Sequence, residues 1–283
     1  MMKLLHLLDF VTPFYWMSSD KEMSFLGHLE ELRWRLFRSA IAILLFAVVL
    51  FVFTKEVIEG VFISMSKTDF FTYRFFCLLS DKLNLGDALC ASSINLQLQS
   101  TQMMGQFSTN MYFALIGGLI LAFPFVFFQV WSFVKPALKS EEQTVSKGVL
   151  FFGSVLFFLG ILFGYFLISP LCVQFFGNYS MSEDIKNDFT INSYISVITT
   201  TTLFSGLFFE LPIVIYILSK LGIVSPELLR KLRKHALVVI LILSAIITPP
   251  DVVSQILVAI PIMGLYEIGI LVSKRVVKNR KNE

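Results

Sequence analysis

Residues 28–53 read "HLEELRWRLFRSAIAILLFAVVLFVF". Two adjacent carboxylates, Glu30 and Glu31, and three guanidiniums, Arg33, Arg35 and Arg38, stand at the mouth of an unbroken apolar run. Carboxylates accept guanidinium groups in a two-point fork, so this is chemistry for recognising a basic group. Two readings of Glu31 stand side by side. It pairs locally with Arg35 at i,i+4, a contact of about 0.3–0.5 kcal/mol, or it offers its charge to a visiting cation. A second acidic pair, Glu141 and Glu142, closes "VWSFVKPALKSEEQ" just after Pro136. Acids there also suit the start of a solvated helix, where they complement the dipole. Two acidic positions facing one compartment can converge on one basic peptide, although their spacing alone does not bring them together.

A third carboxylate lies inside an apolar segment. Glu210, in "LFSGLFFELPIV", precedes Lys220 by ten residues, or about 15 Å of helix. An ionisable group at that depth is rare and usually functional; the other reading is a protonated or hydrogen-bonded structural acid. The preceding Thr199–Thr202 run supplies hydroxyls for the same face and for the carbonyl that Pro212 frees. In "TPPDVVSQ", Asp251 suits the N-cap of a final helix and Gln255 follows one turn later. Glu267 falls near the other end of that helix.

The remaining chemistry is sparse. Cys77 and Cys90 flank "LLSDKLNLGDAL"; a disulfide between them fits an oxidising compartment and would contribute about 3 kcal/mol if unstrained, but free thiols are the favoured reading. Cys172 is left over. His6, His28 and His235 form no metal-binding spacing, and there is no H-E-x-x-H, G-x-S-x-G or Walker-type loop. An intramembrane protease or ATPase therefore has no visible machinery, and no metal or cofactor is called for. The net charge of +3 is too small to suggest nucleic acid as a partner.

The elements that must carry these groups are membrane helices. The chain has 283 residues, 56% hydrophobic and 15% charged, with 31 phenylalanines, a composition for lipid and not for water. About 20 apolar residues cross a bilayer core. Four runs qualify, roughly 36–54, 108–133, 149–170 and 193–219. Two more, 236–247 and 256–266 (extending toward Val272), are short; they are buried hairpin helices or crossings that thin the bilayer. Lys and Arg divide unevenly. Five up to Arg38, three in 134–148, five in 220–234 and five in 273–283 make 18 on one side, against Lys55, Lys67, Arg74, Lys82 and Lys186 on the other. That asymmetry places both termini in the cytoplasm. Residues 1–23 read as a cytoplasmic extension and not a cleaved leader; Met23 is an alternative start. The loop 55–107 contains apolar residues at helical spacing that suit the interface. Gly160 and Gly164 have the spacing of a close helix contact.

These residues resemble the TatC family, the large membrane subunit of the twin-arginine protein translocase. The resemblance rests on "HLEELRWRL", "FPFVFFQVWSFVKPAL", "FFELP" and "TPPDVVSQILVAIPIMGLYEIGI", in that order, and covers roughly 24–275. It implies an all-α integral membrane protein of six transmembrane helices, the last two short, in a concave glove-like bundle, with 276–283 as a basic cytoplasmic tail. It implies location in the bacterial inner membrane and a role as receptor for twin-arginine signal peptides, exporting folded proteins with proton-motive force and without catalysis or cofactor. Glu31, Glu142, Arg33 and Phe133 match the signal-binding positions. Glu210 matches the intramembrane acid that meets small single-span partners of the TatA and TatB type, and Asp251, Gln255 and Pro124 match further positions of structural or functional weight. The resemblance also implies several copies in the receptor complex, surrounded by lipid. The family's proline early in the first outer loop is absent from "VFISMSKTDFF", and "CLLSDKLNLGDALC" looks inserted. A proton-coupled transporter or channel for a small solute, with Glu210 as its ion site, is the rival class.

Overall fold

The computed structural model describes residues 25–67, 69–82, 97–135, 146–182, 187–248 and 252–282. The expected extension 1–23, and with it Glu142, Asp251 and Cys90, lies outside them. In chain order the elements are α1 (Phe25–Val52), α2 (Thr54–Val57), a π-helical turn (Ile58–Ile63), α3 (Phe71–Lys82), β1 (Leu98–Gln99) and α4 (Gly105–Val134). There follow α5 (Ser146–Phe163), a second π-helical turn (Gly164–Ile168), α6 (Ser169–Asn178), β2 (Phe189–Thr190), α7 (Ile191–Phe209) and α8 (Leu211–Lys220). The last are α9 (Pro226–Lys231), α10 (Arg233–Ile247) and α11 (Val252–Asn282).

Five stretches among the described residues are long and apolar enough to cross a membrane: Gly27–Val52, Gly105–Val134, Gly148–Asn178, Ile191–Lys220 and Ser254–Lys278. The first four agree with the apolar runs read from the sequence. The fifth corrects it. The final helix is not short but continues for 31 residues, because its apolar part passes into Ser273, Lys274, Arg275 and Lys278 without a helix breaker, and basic residues favour a helix C-terminus. Residues 276–282, set apart as a tail from the sequence, continue that helix. Pro261 lies inside it without ending it. Only α10 keeps the expected shortness, at 15 residues, or about 22 Å.

The long helices meet where side chains are smallest. A Cβ on Gly118 of α4 would stand 2.7 Å from the Ile43 carbonyl of α1, so this antiparallel pair is in backbone contact. A Cβ on Gly160 of α5 would lie 2.7 Å from the Ser205 carbonyl of α7, and one on Gly164 2.8 Å from the Thr202 Cα. The predicted close contact is therefore made between α5 and α7.

The end of the bundle away from Glu31 is capped by the loop helices. Pro170 has no N–H, which frees the Phe166 carbonyl inside its helix, and the Thr72 hydroxyl of α3 donates to it. Tyr73 donates to the Met65 and Pro170 carbonyls, both at 3.3 Å; burial pushes its ionisation well above the usual tyrosine range, which keeps it a donor. Tyr165 and Tyr194 donate to the Val61 and Phe62 carbonyls, each at 2.7 Å. Carbonyls of the first π-helical turn are thus satisfied by hydroxyls from two other helices. The two long loops are joined by a two-residue parallel ladder, Leu98 to Phe189 and Gln99 to Thr190. Cys77 of α3 is disulfide-bonded, and Cys172 is buried and outside any disulfide.

Candidate functional site

At the opposite end, α1 and α4 present a cluster built on Glu31. Arg35, one helical turn on, donates from Nε to Glu31 Oε1 at 3.0 Å and from Nη2 to the same oxygen. Its Nη1 reaches the Gln129 carbonyl of α4 at 3.4 Å. The local ion pair read from the sequence is therefore present. It occupies only one carboxylate oxygen. Glu31 Oε2 is buried with no hydrogen-bond partner, and His28 Nδ1 stands 4.0 Å from it. His28 stacks on Phe133 of α4, ring centroids 4.2 Å apart and planes at 15°. Four side chains and one backbone carbonyl thus meet near the ends of an antiparallel pair: His28, Glu31 and Arg35 from α1, Phe133 and the Gln129 carbonyl from α4.

The parts of this cluster differ in what they can do. An unpartnered carboxylate oxygen beside one guanidinium can accept a second one, since a carboxylate has about four lone-pair sites and Arg35 fills those of one oxygen. The His28–Phe133 stack flanks the carboxylate on one side. Glu30 and Arg33 do not join the cluster. Both are exposed, and Arg33 lines a groove of about 560 Å³ on the outer face of α1 with Trp34, Leu36, Phe37 and Ala40. The Glu31–Arg35 pair follows from its i,i+4 spacing, whereas the contact of His28 went unnoticed although it stands at i−3 of Glu31 on the same helical face; the Gln129 carbonyl comes from another helix and has no such spacing.

Glu210 sits at the break between α7 and α8. It is buried, at 7% exposure, and neither carboxylate oxygen has a partner. Pro212 in the first turn of α8 explains the break, because it lacks the N–H that would continue α7. The threonines do not turn to it as the sequence suggested. Thr199 bonds back to the Ile195 carbonyl, Thr200 meets Tyr112 at 3.1 Å, and Thr201 and Thr202 meet Ser169 at 2.8 and 3.3 Å. Those hydroxyls found nearer acceptors one turn back and across to α4 and α6. Glu210 is left alone.

Gln255 of α11 donates to the Leu241 carbonyl of α10 at 3.0 Å and so ties the last two helices. Glu267 is engaged by Arg233 at 2.7 Å. Pro124 lies half-buried inside α4.

The fold and these groups define a class: a polytopic helical membrane protein with no metal-binding cluster among the described residues. The family model described as "Sec-independent protein translocase protein (TatC)" matches residues 27–261. The chain belongs to the TatC family. It is 38% identical to the TatC of Blattabacterium sp. subsp. Periplaneta americana over 93% of this chain and 100% of that protein. It is 31% identical to TatCy of Bacillus subtilis over 89% of each chain. A crystal structure described as the twin arginine translocase receptor TatC superposes with a TM-score of 0.65 at 32% identity, covering 88% of this chain and 99% of that one. The chain is accordingly a multi-pass inner-membrane protein of a translocase family, not of an enzyme family.

Proposed function

We propose that this chain is the receptor of a twin-arginine translocation system and binds paired arginines of signal peptides at its cytoplasmic face through Glu31 and Glu142. The observation that carries this reading is the divided state of Glu31, one oxygen held by Arg35 and the other buried and unpartnered. Arg35 orients the carboxylate, and the open oxygen takes the incoming guanidinium. A charge-assisted bond of this kind is worth about 1.5–3 kcal/mol. Lysine keeps the charge but loses the fork, which explains a demand for arginine. Phe133 with His28 forms the wall of the site, and Arg33 lies beside it on the outer face of α1, where the groove suits the apolar part of the peptide. Glu142 completes the pair from the loop after α4.

In the same reading Glu210 receives a polar residue of a small single-span partner of the TatA or TatB type, several copies of the chain assemble, and proton-motive force drives passage of folded cargo. Both ends lie inside, in keeping with the charge asymmetry; the six-helix, glove-like arrangement is what membership of the family implies, and Cys77 pairs with Cys90 in the outer loop. The deciding experiment cross-links a signal peptide with an RR pair, and an otherwise identical KK peptide, to the wild type and to a Glu31→Ala, Glu142→Ala double variant. Loss of the RR adduct in the variant is expected; an undiminished adduct overturns the proposal. Solute flux through this chain alone in liposomes would favour a transporter instead.

A further inference from the structure

The shortness of α10 leaves a charged ledge below the ends of its neighbours. Arg233, the first residue of α10, bonds Glu267 at 2.7 Å, and Tyr266 donates to the Leu229 carbonyl of α9 at 2.9 Å. These two contacts fix α9 and the start of α10 level with residues 266–267 of α11. The apolar part of α11 continues to Val272, about 8 Å further along the same helix. The basic end of α10 is therefore recessed toward the bilayer interior relative to the basic end of α11.

Arg230, Lys231, Arg233 and Lys234 are all exposed on this ledge. Its acids are Glu227 and Glu267, and Glu267 is already held by Arg233. Among the described residues no ion pair engages Arg230, Lys231 or Lys234. Large apolar side chains interleave with them: Leu228, Leu232, Leu237 and Val238 are 39–56% exposed. Cations among lipid-facing apolar groups, at a depth where the adjacent helix is still crossing, need a counter-charge that lies in the same plane.

We propose that this ledge binds the headgroups of anionic phospholipids. A phosphodiester with net negative charge matches the donor set, with Arg230 and Arg233 supplying planar forks and Lys231 and Lys234 point charges. The acyl chains lie along the exposed apolar face of α10. Each interfacial cation adds about 1 kcal/mol of attraction to anionic lipid, so three uncommitted ones select such lipids over zwitterionic ones by about a hundredfold. The headgroups are drawn inward to reach the ledge, and the leaflet is pinched beside α10. This inference is independent of the peptide site at Glu31.

The test uses the full-length protein purified from vesicles of phosphatidylcholine mixed with phosphatidylglycerol, with the retained lipid measured by native mass spectrometry. The wild type should retain phosphatidylglycerol preferentially, and less of it as salt is raised. Arg230→Gln, Lys231→Gln, Lys234→Gln together should reduce that retention at least tenfold, whereas Lys274→Gln, Arg275→Gln, Lys278→Gln together should leave most of it. A charge-conserving Arg230→Lys, Lys234→Arg variant should keep it and controls for folding. Retention that is salt-independent, equal for the two lipids, or lost only with the α11 changes overturns the proposal. Displacement of the lipid by inorganic phosphate would overturn the lipid as the ligand and assign the ledge to the free anion.

Discussion

Glu31 and Glu210 are both acids short of partners, but in different surroundings, and substitution should separate them. Glu31→Gln keeps the shape of the site and removes its charge. It should weaken binding of a twin-arginine peptide by about 10–150-fold, the equivalent of one charge-assisted bond, as read by peptide titration with the protein in detergent. Arg35 would lose its carboxylate as well, so Arg35→Gln should also weaken binding by disordering Glu31; a double-mutant cycle between the two positions will show coupling. Glu210 has no internal partner to lose. Glu210→Leu removes a buried polar group without orphaning another, so thermal unfolding should be unchanged or shifted upward. Copurification of a small single-span partner should fall at the same time, and Glu210→Gln should retain part of it. A marked loss of stability in Glu210→Leu would show that the acid is structural.

At the scale of elements, small hydroxyl and glycine positions fix the spacing of helices. Ser219 of α8 donates to Ser273 of α11 at 2.7 Å, and both are buried. Replacing either alone by Ala orphans the other and should cost about 1–3 kcal/mol; replacing both should be nearly neutral. Denaturation in mixed micelles reads the difference. Gly160→Leu should separate α5 from α7 and lower stability by about 1–3 kcal/mol, since even a Cβ there collides with backbone. The four long apolar runs, the Gly160–Gly164 contact and the burial of Glu210 were legible in the sequence because each is a local pattern read against one solvent. The rest depended on neighbours. The length of α11 was misread because hydropathy ends near Val272 while helix propensity does not. The threonine partners were misread because Ser169 and Tyr112 come from helices far away in sequence. That Arg35 holds only one oxygen of Glu31 follows from side-chain geometry, which i,i+4 spacing does not specify.

For the whole molecule the parity of crossings turns on α10. Five long spans alone would leave the chain ends on opposite sides of the membrane; the proposed arrangement makes α10 a sixth crossing that returns them to one side, in accord with the division of 18 against 5 basic residues. Packing favours the crossing. Arg233 meets Glu267 near one end of α10, and Gln255 meets the Leu241 carbonyl further along it, so α10 runs antiparallel to α11 through the same depth. At about 22 Å it falls about 8 Å short of a typical hydrocarbon core, and mismatch costs only fractions of a kcal/mol per Å, a penalty the bilayer can absorb by thinning. Trypsin added to sealed inside-out vesicles should therefore cut within the Lys274–Lys281 segment and spare Lys67, Arg74 and Lys82, with the reverse in right-side-out vesicles. A tag at the N-terminus should become accessible from the same side as that C-terminal segment. Ends on opposite sides would mean that α10 turns back within the membrane, and the count of crossings would fall to five.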